Sequence, residues 1–318
     1  MEASSRAPSV PFRLSDLVHF LYPIVPLRLL VAMAKLQGRL IARLRPRSAR
    51  AVEENLASVM RYAGHGGDPR ASTIRFFEGE QVRLLLLHAT QRMSREELEE
   101  LIPLSGLHHL DVAVAGGKGT VLLLSHLNSL GGFLVVMLLR KMGYDVRVAI
   151  PEDRDPYTPS WFRRAIYAAE RHEPESILES LGAFFCQFNI RPIVRALREN
   201  AVVVQTGDGT HSASFVDVDF LGRRIPFTNA IMNVARSTGS MVVPVFLVGE
   251  PPDMTAVIEP PFTISDRAEL DERVAAYASR LEGYLVQRPE TWLGFRTPNA
   301  LDGMIASAKR PLQDRYEM

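Results

Sequence analysis

Hydrophobic and polar positions follow two different rhythms along this chain, and the change falls near Pro103. Before it, apolar residues recur at three- and four-residue spacing, the period of an amphipathic helix. That spacing predicts helices over Val25–Leu44, ended by Pro46, and over Ala49–Met60 and Ser72–Met93. Ser94 then caps a short helix running through Leu101. Ala63–Pro69 (AGHGGDP) reads as a loop from its glycines and proline. From Gly119 onward, short β-rich runs alternate with helical stretches. Strands are expected at Thr120–Leu124, Val146–Ile150, Val202–Gln205 and Val242–Val248, with Thr255–Ile258 at an edge. Helices are expected at Ser129–Met142, Ser160–His172, Ile190–Glu199, Asn229–Thr238 and Asp266–Val286. This alternation implies an α/β fold: a mostly parallel sheet flanked by helices on both faces, with an N-terminal helical region. The chain divides into a flexible N-terminus (1–12), a helical region (13–104), the α/β core (105–298) and a C-terminal tail (299–318).

Composition narrows the function classes. With 47% hydrophobic and 23% charged residues, the chain can bury a substantial core. A formal net charge of +1 leaves no large positive excess to neutralise phosphates, so a general nucleic-acid partner is not expected. One cysteine, Cys186, rules out an internal disulfide and fits a reducing compartment, most simply as a buried thiol. His65, His88, His108, His109 and His211 show no metal-ligand spacing, so no metal is proposed.

The opening residues carry no secretory signal. Leu14–Leu36 is apolar but broken by Asp16, His19, Pro23, Pro26, Arg28 and Lys35, too interrupted for a comfortable membrane span. It runs into Arg39, Arg43, Arg45, Arg47 and Arg50. Apolar surface beside clustered arginines suits an anchor on an anionic membrane surface, and suits equally an amphipathic helix capping the core.

In a parallel sheet, reactive groups sit beyond the carboxyl ends of the strands. That rule points first to Ser125–Gly132. His126 stands at the end of an apolar strand where a helix begins, placed to take a proton from a hydroxyl or amine. Asn128 and Ser129 lie on the same turn. The rule points next to Gln205–His211 (QTGDGTH), where Asp208 sits between two glycines, with Thr210 and His211 beyond. There the glycines permit a sharp turn and a close ligand approach, and Asp208 suits either orienting a histidine or an ordinary Asx turn. Arg191 and Arg195 share a face of the preceding helix and suit either a phosphate or phosphopantetheine ligand or solvated surface charge. The cluster Glu152–Asp155 reads as a solvated loop.

Three blocks in register carry a family resemblance. They are Gly106–Leu110 with Gly116–Thr120 and Val121–His126; Val218–Arg223 with Ala235–Gly239 and Val242–Phe246; and Arg288–Arg296 (RPETWLGFR). Together they resemble the lysophospholipid acyltransferase superfamily, in the branch of bacterial lipid A biosynthesis lauroyl and myristoyl acyltransferases. The arginine-rich N-terminal helix and Asn55 fit that branch too. The resemblance implies transfer of an acyl chain from acyl carrier protein or a coenzyme A thioester to a hydroxyl or amine acceptor, lipid or small molecule. It also implies a cytoplasmic enzyme, peripheral on the inner face of the cell membrane, whose donor is a substrate and which needs no resident cofactor. The family motif is a histidine followed, after four intervening residues, by Asp or Glu. His126 matches the histidine, but Gly131 stands where the acid is expected.

Three substitutes for the acid offer themselves: Asn128, Ser129 and Asp208, and only Asp208 adds charge to hydrogen bonding. The missing acid also fits a specialised acceptor in a biosynthetic pathway, such as an amine or hydroxylamine, since an amine needs a weaker base than an alcohol. Two rivals remain at this level: a non-catalytic lipid- or carrier-binding relative, and a transacylase or hydrolase using Ser129, which lacks the Gly-x-Ser-x-Gly elbow.

Overall fold

A computed structural model describes residues 24–64, 66–128, 131–150, 181–185, 189–209, 212 and 214–310. The expected Ser160–His172 helix, the Glu152–Asp155 cluster, Cys186 and residues 1–12 lie outside them.

The N-terminal third of the described chain is helical: α1 (Leu27–Leu44), α2 (Pro46–Tyr62), α3 (Pro69–Ala89) and α4 (Arg95–Leu101). Prolines start two of these helices rather than merely ending their predecessors. Pro46 opens α2, and Pro69 opens α3 three residues ahead of the expected start, with Asp68 accepting from the Arg70 amide at 2.9 Å. A proline suits the first helical turn, where its missing N–H would have had no partner. Ser94 caps α4 through a reciprocal bond with Glu97, as its sequence suggests. Helix α3 is buried nearly all round, with Phe76, Phe77, Val82 and Leu85–Leu87 all enclosed.

The α/β part contains β1 (Leu104–Ser105), α5 (Leu107–Ala115), β2 (Thr120–Leu124), α6 (Gly131–Lys141), β3 (Val146–Ile150), β4 (Phe184–Phe185), α7 (Arg191–Arg198) and β5 (Val202–Thr206). It continues with the hairpin β6 (Phe215–Phe220) and β7 (Arg223–Thr228), then α8 (Ala230–Thr238), β8 (Met241–Glu250), β9 (Asp253–Ile258), α9 (Arg267–Leu285) and α10 (Ala300–Lys309).

Among the described residues, seven strands form one sheet in the order β1-β9-β8-β2-β5-β3-β4. From β8 to β4 all neighbours are parallel, whereas β9 runs antiparallel to β8 and β1 runs parallel to β9. Strand β9, expected at an edge, is therefore second from it; β1, too short for its own sequence rhythm, covers it. Within the segment set apart as a tail, Ala300, Leu301, Met304 and Ser307 of α10 are buried, so this helix packs on the core.

Strand β2 shows how the sheet divides the interior. Its residues are buried on both faces, with Val121 and Leu123 joining one apolar cluster and Leu122 and Leu124 the other. Helices α7, α8 and α9 fill the first side, and α4, α5 and α6 the second. This two-sided burial is why the strand reads as an unbroken apolar run. It also fixes the level at which the chain emerges at Ser125.

Candidate active site

Strands β2 and β5 are neighbours in parallel register, with Leu124 opposite Thr206. His126 and Asp208 each lie two residues beyond that matched pair, so the same sheet edge delivers both. The Asp208 carboxylate receives the His126 ring at Nδ1–Oδ1 2.8 Å. It also accepts the His126 backbone N–H, at 2.8 Å to Oδ2 and 3.1 Å to Oδ1. A third donor comes from far along the chain: the Trp292 indole N–H gives to Oδ2 at 2.8 Å. The Asp208 side chain is fully buried, while 36% of the His126 side chain remains exposed.

Charge follows from this geometry. Burial alone would raise the Asp208 pKa, but the adjacent imidazole and the bonds from His126 and Trp292 outweigh it and hold the carboxylate below its usual range. Burial of the ring likewise disfavours a charged His126, yet the Asp208 charge and its hydrogen bond win, raising the pKa above 6.5. With Asp208 ionised, Nδ1 must carry the ring proton, and Nε2 is left as the acceptor directed away from the carboxylate.

Further hydrogen bonds tie the surroundings together. The Tyr277 phenol donates to the Leu124 carbonyl at 2.7 Å, and the Gly207 amide donates to the same oxygen at 2.9 Å. Burial and the Asp208 charge keep that phenol neutral, well above its usual pKa of 10. Gly207, expected to allow close approach of a ligand, instead admits this tyrosine: a Cβ there would stand 2.7 Å from the ring. On the other side, Leu127 bridges to Trp292 and the Leu293 amide donates to the His126 carbonyl at 3.2 Å. Asn55 of α2 secures the same C-terminal segment, donating to the carbonyls of Phe295 at 3.0 Å and Thr297 at 2.8 Å.

Of the three substitutes for the absent acid, Asp208 occupies the position beside Nδ1. Asn128 is engaged elsewhere: it is fully buried, and its amide donates to the carbonyls of Leu247 (2.9 Å) and Gly249 (3.1 Å). Ser129, Thr210 and His211 lie outside the described residues. Gly131 opens α6, and a Cβ there would meet Leu247 Cδ2 at 2.2 Å, with the Met254 sulfur at 3.6 Å. The place expected for an acid is thus filled by β8 and β9.

Arg191 and Arg195 are exposed on α7 and line a cleft of about 380 Å³ with Arg147, Gly182, Phe184 and Asn189, a lining that does not include the His126–Asp208 pair. Among the described residues, no group of three or more His, Cys, Asp or Glu side chains is arranged to hold a metal ion. Sequence reasoning had no role for Trp292, although the RPETWLGFR block that carries it was one of the three resembling the family.

The family described as bacterial lipid A biosynthesis acyltransferase matches residues 14–297. The chain belongs to this family. No match is found among curated proteins. Acyl transfer in general is the activity that family membership supports. The matched stretch contains all of α1 to α9 and ends just after the segment carrying Trp292, so every residue of the His126–Asp208–Trp292 chain falls within it.

Proposed function

We propose that this acyltransferase moves an acyl group from a thioester on acyl carrier protein or coenzyme A to a hydroxyl or amine acceptor, with His126 as general base. The observation that carries this reading is the bond from His126 Nδ1 to a buried, ionised Asp208, which leaves Nε2 as the base. The acceptor's proton passes to Nε2 while its oxygen or nitrogen bonds to the thioester carbon. The C–S bond then breaks, and the leaving thiolate takes the proton back from the imidazolium. Asp208 keeps the ring oriented and stabilises its charge. Since Asp208 supplies a full carboxylate, the absence of an acid at position 131 does not by itself demand an amine acceptor.

The test is an acyl-transfer assay with both donor types against a panel of alcohols, amines and hydroxylamines, with products read by mass spectrometry. Acylated product above the buffer control is expected for at least one pair. Release of free acid only, or no turnover with any pair, overturns the reading in favour of a hydrolase or a binding relative.

Association with a membrane surface is part of the same proposal. No helix among the described residues is long and apolar enough to cross a bilayer. Helix α1 buries Leu30, Val31 and Ala34 but exposes Leu29, Leu36, Leu40 and Leu44, each by more than half. Arg43, Arg45, Arg47 and Arg50 are exposed at and beyond its end. An outward apolar stripe ending in arginines suits the boundary between headgroups and acyl chains. Reversing Arg43 and Arg47 to glutamate is expected to weaken binding to anionic vesicles roughly ten-fold or more, from about 1 kcal/mol per basic residue near such a surface. Vesicle sedimentation at low and high salt checks this; binding unchanged by both treatments would remove the electrostatic part.

A further inference from the structure

Helix α3 carries a cation into the interior beside the His126 loop. Arg83 is only 2% exposed, and burial pushes its guanidinium down to about 10. Among the described residues its hydrogen-bonded partner is neutral: Nη1 donates to Asn128 Oδ1 at 3.1 Å, and the buried Nη2 has no partner there. Glu80 lends some opposing charge, but that carboxylate is itself bonded by Arg296 at 3.1 Å. A buried cation satisfied this poorly is expensive to keep, and an apolar side chain of similar volume would cost less. Its retention asks for a use.

Asn128 is where that use lies. Its φ is +48°, in the left-handed region that asparagine tolerates better than most side chains. Every polar function it has is engaged. The side-chain amide donates to two β8 carbonyls, its oxygen accepts from Arg83, its backbone N–H donates to Thr291 at 2.8 Å, and its carbonyl accepts from Gly131. The two carbonyls require the NH₂ group on their side, so the oxygen must face Arg83. An aspartate here would set a carboxylate against both carbonyls. The residue two places after His126 is thereby tied to α3, β8, α6 and the C-terminal segment together.

We propose that Arg83 is a positioning residue for His126, acting through Asn128 to hold the strand-to-helix turn at the height where the ring meets Asp208. The proposal rests on His126 being the base, so its test includes a reading that needs no substrate. In the Arg83→Met variant the turn loses its anchor on α3. The His126 imidazole signal, followed by NMR, should then titrate at a lower pH, toward 6.5, as the bond to Asp208 loosens. With a competent donor and acceptor, kcat should fall about 10–100-fold at unchanged KM, the effect of misplacing a reacting group by about an ångström. Arg83→Lys, which keeps the charge on a single donor nitrogen, should recover part of both.

Asn128→Gly preserves the left-handed backbone while deleting the amide, and serves if Arg83→Met does not fold. It should reproduce the same two changes, and the double variant should be no worse than the poorer single, because the two act as one unit. A folded Arg83→Met or Asn128→Gly protein with native His126 titration and kcat within two-fold overturns the proposal. So do strictly additive effects. Native titration loss without any acyl transfer in the wild type would retain the positioning and reject only the catalytic reading.

Discussion

Replacing His126 with alanine is expected to lower acyl transfer by about 10²–10⁴, the usual contribution of a general base. Asp208→Asn should lower it by up to about 10⁴, since an amide can hold the wrong ring tautomer and cannot stabilise the imidazolium. The double variant should be no slower than the worse single, because the two residues work as one unit. The pH dependence separates this pair from an incidental one. His126 must be neutral to accept a proton, and Asp208 raises its pKa above 6.5, so the acidic limb of the wild-type rate should lie above 6.5. In Asp208→Asn the attraction is gone while the burial, which lowers the pKa, remains. The limb should then move to 6.5 or below. Steady-state rates from pH 5 to 9 check this, and full activity in His126→Ala would overturn the assignment of the base.

The second large effect concerns Gly131. Installing the acid that the family motif expects, by Gly131→Glu, should destabilise the protein and should not raise activity toward alcohols. The helix N-terminus would favour a negative charge there by about 0.3–1 kcal/mol. Against this, the new Cβ would press to within 2.2 Å of a buried leucine methyl, and overpacking of this kind costs about 1–3 kcal/mol. A carboxylate left unmatched beside Leu247 and Met254, the side chains that this Cβ meets, would cost roughly 1–3 kcal/mol more. Crowding and desolvation exceed the dipole's help. Chemical denaturation should show the loss, and Leu247→Ala in the same chain should recover part of it. Native stability with a gain in alcohol acylation would mean that position 131 merely lacks its acid.

Much of this arrangement is legible in the sequence because it rests on local rules. The unbroken apolar run of β2 announces a strand buried on both faces, and the residue that ends it is a histidine. The capping box at Ser94 is written out in four residues. The bond between His126 and Asp208 is harder, since 82 residues separate them and their meeting depends on β5 lying directly beside β2. Nothing in the periodicity of either strand specifies its neighbour. The reversal of β9 against β8 is hidden for the same reason, as is β1, whose two residues are too few to show a rhythm. Trp292 and Arg83 illustrate a different limit. A tryptophan after a loop and an arginine in a long helix both read as unremarkable until the fold turns the indole toward a carboxylate and carries the guanidinium inside.

Order of synthesis gives the C-terminal segment a further meaning. Trp292 follows Asp208 by 84 residues, and the same stretch supplies the bridge to Leu127 and the carbonyl that holds Asn128. A ribosome-bound chain that has released β2 and β5 therefore owns a histidine and a carboxylate but not the Trp292 indole or the Thr291 carbonyl that help fix them. Helix α1, with its exposed leucines, has by then long since emerged. On the reading proposed above, the nascent protein reaches a lipid surface before it can discharge a thioester. On that reading, acyl transfer waits for the segment that carries Trp292.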